Sequence, residues 1–82
     1  MKKKEEKTDM SEFTLIVGKR IRKARKAKNL TLEELAERCG LHPAYIGQLE
    51  RGVKNASLYT HEKIACALEL SLTDLVGNSD IV

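Results

Sequence analysis

The sequence predicts an all-α protein, a compact bundle of five short helices. Three observations predict it. Apolar residues recur at three- and four-residue intervals in five separate segments, Ser or Thr residues open most of these segments, and Gly or Asn closes several of them. No segment shows the two-residue alternation of a strand. At 82 residues the chain has room for one small core, and 41% hydrophobic with 33% charged residues is the composition of a folded domain. No internal repeat and no Gly-rich or Pro-rich linker divides it.

The elements follow in order. Residues 1–10 are polar and charged without a period and are expected to form a frayed tail, followed by a folded domain over residues 11–77 and a short tail over 78–82. Helix 1 is expected to start at a Ser11 or Thr14 cap. Phe13, Val17, Ile21 and Ala24 make its apolar stripe, and Asn29, tolerant of left-handed backbone, ends it. Helix 2 opens with a capping box, Thr31 with Glu34 three positions on, and buries Leu32, Leu35, Ala36 and Cys39 before Gly40 stops it. Pro43 suits the first position of helix 3 and bars His42 from continuing helix 2, so His42 becomes the N-cap. Ile46 and Leu49 face inward, and Gly52 closes this helix. Ser57 or Thr60 caps helix 4, whose Leu58, Ile64, Ala65 and Leu68 share a face. Ser71 and Asp74 form a second capping box for helix 5, which Gly77 ends.

The formal net charge of +3 is modest, but its distribution is not. The ten residues from Lys19 to Lys28 hold seven of the fifteen basic side chains and no acid, leaving a net of −4 on the rest of the chain. Such a cationic element suits a polyanion such as nucleic acid. A solvated helix face, a membrane surface or a partner groove would accept it as well. The longest aliphatic run, Leu15-Ile16-Val17, is far short of the ~20 residues that span a bilayer. The Lys-rich start leads into Glu5 and Glu6 instead of an apolar signal stretch. Two cysteines are too few for a disulfide framework, and a cytoplasmic location is expected.

The segment from Thr31 to Arg51 carries the functional information. Two short helices joined around a glycine must cross steeply, which requires a small residue at Ala36, the turn at Gly40 and buried aliphatics at Ile46 and Leu49. This is the pattern of a helix-turn-helix formed by helices 2 and 3. Any small α-bundle can contain two short helices and a glycine turn, but further segments agree with it. Gly18 to Arg25, Leu30 to Ala36, Tyr45 to Gly52, Lys63 to Leu68 and Ser71 to Leu75 together resemble the lambda-repressor-like, or Xre-type, helix-turn-helix DNA-binding proteins. The resemblance covers roughly residues 13–77. Within that family, the stand-alone form and the segment from Leu41 to Ser57 are most similar to the controller proteins of restriction-modification systems.

The resemblance implies sequence-specific binding of double-stranded DNA by a transcriptional regulator, with the helix at about 43–51 in the major groove. Pro43 and Ala44 occupy positions that carry polar base-reading residues in several relatives. Here they can read only by shape or through a thymine methyl, so hydrogen-bonded discrimination shifts to Tyr45, Gln48 and Lys54. Gln48 suits adenine and Lys54 guanine. Phosphate contacts are expected from Thr31, His42, Arg51, Asn55 and part of the helix 1 cluster. The family often places Gln after the helix 2 cap; Leu32 stands there instead and loses that polar role. The resemblance also implies an internal ion pair between Arg25 and Glu50.

One short helix buries too little surface for tight specific binding, so a homodimer on two half-sites is expected, with its interface at Leu70, Leu72, Leu75 and Val76 and the terminal Ile81-Val82. Some of these leucines would equally finish the monomer's core. The spacings Cys39-x2-His42 and His61-x4-Cys66 look like halves of a zinc site. That reading is outweighed because both cysteines fall on predicted core faces, His42 is a cap and His61 reads as a surface residue. No metal and no cofactor is therefore expected. No catalytic triad, paired-carboxylate cleft or phosphate loop is visible, so the chain reads as a non-enzyme. An antitoxin that also covers a toxin protein, and a protein-interaction module that no longer touches DNA, are the alternatives.

Overall fold

The computed structural model describes residues 2–77, with side chains from Glu12 onward. Five α-helices follow in order: α1 (Lys2–Ala27), α2 (Leu32–Cys39), α3 (Pro43–Glu50), α4 (Leu58–Ala67) and α5 (Leu72–Val76). No strand occurs among the described residues. α3 packs on α1 and α2, α4 on α2 and α5, and α5 closes back on α1. The shared core is built from Val17 and Ile21 of α1, Leu35, Ala36 and Cys39 of α2, Ile46 and Leu49 of α3, and Ile64 and Ala65 of α4. Leu30, Leu68 and Leu75 complete it.

The capping chemistry sets most helix ends. The Thr31 hydroxyl accepts from Glu34 N at 3.0 Å while the Glu34 carboxylate accepts from Thr31 N at 2.8 Å. Ser71 and Asp74 repeat this arrangement at 3.0 Å in both directions. Of the two candidates for α4, Ser57 is the cap, its hydroxyl accepting from Thr60 N at 3.1 Å. Asn29 and Gly40 take left-handed backbone, with φ of 58° and 72°. Glu69 does too, at φ 61°. That residue carries no sequence signal for such a turn; the Leu70 amide donating to Ala65 O at 2.8 Å holds the chain in it.

Several expectations need correction. α1 begins at Lys2, well before the Ser11 or Thr14 cap. Lys, Glu and Met favour helix, and no Gly or Pro precedes Gly18 to force a later start. Phe13 is 41% exposed, at the edge of the bundle where it lines a small cavity with the loop after α3. Leu58 is 65% exposed, since as the first residue of α4 it lies beyond the turn that reaches the core. His61 takes the inward place instead and is only 4% exposed, and Cys66 lies outside while Cys39 is buried. Leu32 is half-buried. Leu75, placed at a dimer interface by the sequence reading, is 0% exposed and belongs to the monomer's core. Leu70, Leu72 and Val76 are half-buried, and Ile81 and Val82 lie outside the described residues.

Burial holds the His61 imidazole below the ordinary histidine range, so the folded protein keeps it neutral. The unfolded chain takes up this proton near pH ~6.5, whereas the fold resists it. Stability is therefore complete above that pH and declines as the solution is acidified through the folded-state titration. Thermal midpoints should fall from about pH 6.5 downward, and more steeply than in His61→Leu. Parallel curves for the two proteins would contradict this.

Candidate nucleic-acid interface

The helix-turn-helix is assembled from local signals. After α2, Gly40 N donates to Glu37 O and Leu41 N to Ala36 O at 2.9 Å, which satisfies the last carbonyls and turns the chain. His42 has the extended backbone of an N-cap, with φ −80° and ψ 140°, though its side chain caps nothing. Its exposed imidazole is left facing solvent. Pro43 then starts α3 at a position whose N–H would have no partner in any case.

α3 divides cleanly into two faces. Ile46, Gly47, Leu49 and Glu50 are buried. Ala44 and Arg51 are exposed, and Pro43 and Gln48 are half-exposed, forming a solvent edge that runs the length of the helix. Tyr45 is half-buried and packs against the core, so its ring is held while one edge stays accessible. Among the described residues the Gln48 amide makes no hydrogen bond. The leading end of this edge is apolar and its middle is an amide.

Two features fix α3 in its orientation. The first is a buried ion pair: Arg25 Nε donates to Glu50 Oε2 at 2.7 Å and Nη2 to Oε1 at 3.0 Å, while Nη1 donates to Leu30 O at 2.7 Å. The bidentate fork ties the end of α3 to α1, and the hydrogen bonds that Arg25 donates to Glu50 raise its pKa above the ordinary value. The second is close helix contact. A Cβ built on Gly18 would lie 2.3 Å from Leu49 O and 2.6 Å from Glu50 O, so α1 reaches the backbone of α3 only because that position is glycine. α2 braces the opposite side, where Leu32 Cδ1 lies 3.7 Å from where a Gly47 Cβ would be. Leu32 thus supports α3 through an apolar contact in place of the polar one its position often supplies.

The loop after α3 is anchored to α1. Gly52 has φ 76°, and the Thr14 hydroxyl donates to its carbonyl at 3.2 Å. Lys54 and Asn55 are exposed just beyond, with Asn55 Oδ1 accepting from Ala56 N at 3.1 Å. Thr31, at the N-terminus of α2, is also exposed. Its hydroxyl accepts within the capping box and keeps its proton to donate.

The cationic segment of α1 is partly structural. Arg25 is consumed in the ion pair. Arg20 Nη1 donates to Leu75 O at 3.1 Å and to Gly77 O at 2.6 Å, closing the end of α5. Lys28 pairs with Glu69 at 2.7 Å, which holds the Glu69 carboxyl below the ordinary range. Lys19, Arg22, Lys23 and Lys26 are exposed. Among the described residues, no three His, Cys, Asp or Glu side chains are grouped to hold a metal ion. The roles of Gly18 and His61 were missed in the sequence. A glycine interrupting a helical pattern was the available signal for the first, since it usually marks close packing.

The HTH_3 helix-turn-helix family model matches residues 21–75, two thirds of the chain, from the last two turns of α1 to α5. The chain belongs to the HTH_3 helix-turn-helix family. Among its HTH_3 relatives is the control protein C.BamHI of Bacillus amyloliquefaciens, 43% identical over 72 residues that cover 87% of this chain and 89% of the relative. The crystal structure of the restriction-modification controller protein C.AhdI from Aeromonas hydrophila superposes with a TM-score of 0.74 at 40% identity, over 76% of this chain and 94% of that one. The transcriptional regulator SinR of Bacillus subtilis (strain 168) is 36% identical over 62 residues, 74% of this chain and 56% of the regulator. The chain therefore spans nearly all of the control proteins but little more than half of SinR. The likeness to controller proteins read from Leu41 to Ser57 is borne out.

Proposed function

We propose that the chain places the solvent edge of α3 in the major groove of duplex DNA, as one half of a dimer on a two-half-site operator. As an HTH_3 protein with regulators and control proteins as relatives, it is a DNA-binding transcriptional regulator and not an enzyme. The observation that carries the groove assignment is the solvent edge of α3, with Pro43, Ala44, Gln48 and Arg51 outward while the Arg25–Glu50 pair and Gly18 lock the opposite face to the bundle. Gln48 reads a base, the apolar Pro43–Ala44 end meets thymine methyl groups, and Lys54 reaches a base edge from the loop. Thr31, His42, Arg51 and Asn55 flank this edge and hold phosphates. A second copy docks along Leu70, Leu72 and Val76, without Leu75. The control-protein relatives support a regulator acting on a promoter near its own gene. No described helix is long and apolar enough to cross a membrane, and two free thiols fit a reducing cytoplasm.

Gln48→Ala should cost about 1–3 kcal/mol on the specific site and almost nothing on random duplex. Replacing thymine by uracil in the half-site should weaken binding of the wild-type protein through loss of the methyl contact. Fluorescence anisotropy titrations at fixed salt check both. Equal losses on specific and random DNA would reject the Gln48 assignment, and indifference to uracil would reject that of Pro43 and Ala44.

A further inference from the structure

The His61 ring sits in α4 directly beneath the loop that joins α3 to α4. It lines a small cavity with Phe13, Thr14, Val17 and Ile21 of α1, Leu49 of α3, and Lys54 and Asn55 of the loop. None of the cavity-lining residues from α1 or α3 is charged, and Lys54 is the one charged side chain among the described residues that line it. There is no carboxylate in the lining to receive a second proton's charge. We propose that His61 is a positioning residue for DNA reading: its neutral ring is the floor on which Lys54 and Asn55 rest, and its protonation displaces that loop and weakens specific binding. This rests on the assignment of Lys54 and Asn55 to DNA made above.

Three physical effects oppose a charge at this site. The walls from α1 and α3 are apolar except for Thr14, whose hydroxyl donates to Gly52 O, so an imidazolium there loses its hydration with no carboxylate to compensate. Lys54, a cation, lines the same cavity and opposes a second positive charge. His61 also lies in the first turns of α4, near the positive end of the helix dipole, with its own amide already donating to Ser57 O at 3.0 Å. A protonated ring is therefore driven toward solvent, and the direction open to it is the loop side, since the other walls are packed helices.

The test follows the loop and the DNA separately in the full chain. Amide NMR shifts of Lys54, Asn55 and Ala56 are recorded without DNA from about pH 8 to 5, over the range in which circular dichroism shows native helix. Anisotropy titrations with the selected operator duplex and with random duplex are run over the same range at constant ionic strength. In the wild type the loop amides should move with the His61 ring, and specific affinity should fall toward acid with a slope approaching tenfold per pH unit below the His61 titration. Random-duplex binding should fall much less, by the Asn55 phosphate contact alone. His61→Gln and His61→Leu, two non-titrating replacements of similar size, should abolish both the loop shifts and the acid loss. Loop amides that ignore the His61 titration, or an acid loss that persists in a folded variant, would overturn the proposal. Loop amides that follow His61 while operator affinity stays level would overturn its coupling to DNA and trace the failure to the contacts assigned to Lys54 and Asn55.

Discussion

Glu50→Ala should lower stability by about 3–5 kcal/mol, because it leaves the Arg25 guanidinium buried with only the Leu30 carbonyl to accept from it. A domain of this size is stable by only about 4–12 kcal/mol in total, so the variant should melt more than about 10 °C lower and could be largely unfolded at 37 °C. The cost is that of a stranded charge, not the net worth of the pair. Replacing both partners, Arg25→Leu with Glu50→Leu, should therefore recover most of the loss. Circular dichroism melts of the two single variants and the double variant check this. A Glu50→Ala protein with the wild-type midpoint would contradict the role assigned to the pair.

Gly18→Ala is the second large effect. Alanine is a better helix former than glycine by about 1 kcal/mol, and in an exposed helix the change would stabilise. Here the added methyl would meet the Leu49 and Glu50 carbonyl oxygens at 2.3 and 2.6 Å, and backbone atoms cannot swing aside as a flexible side chain can. α1 and α3 must separate, with a net loss of about 3 kcal/mol that also strains the Arg25–Glu50 fork. Gly47→Ala is the matched control within α3. Its methyl would lie at ordinary contact distances, 3.5 Å from Arg51 Nη1 and 3.7 Å from Leu32 Cδ1, so helix propensity should dominate and add up to ~1 kcal/mol. Urea unfolding of the two variants should move in opposite directions. Movement in the same direction would mean that the close approach of α1 and α3 is not the deciding contact.

What could be read from the sequence was chemistry written over three or four residues. Thr31 with Glu34, Ser71 with Asp74, Pro43 after Gly40, and the inward pair Ile46 and Leu49 each act within one turn of helix, and each sits where local rules place it. The start of α1 was misplaced because a possible cap was read as a necessary one. On α4, periodicity alone could not say which turn first reaches the core; Leu58 and Cys66 lie outside and His61 inside because α1 and the loop, distant in sequence, supply the wall. The same holds at the interface. The inward Ile46 and Leu49 of α3 were legible from spacing and its outward edge from the family resemblance, whereas the contributions of Gly18, of Leu32 against Gly47, and of Arg20 to the end of α5 arise only when helices far apart in the chain meet.

The central claim is that the outward edge of α3, from Pro43 to Arg51, reads base pairs in the major groove. Selection from a pool of random duplex DNA tests it most directly. The wild-type protein should enrich a sequence of two related half-sites about 10 base pairs apart, centre to centre. Under the same selection, Gln48→Ala should lose preference at one position per half-site. A wild-type protein that enriches no sequence at any ionic strength, or a Gln48→Ala pool identical to the wild-type one, would contradict the account.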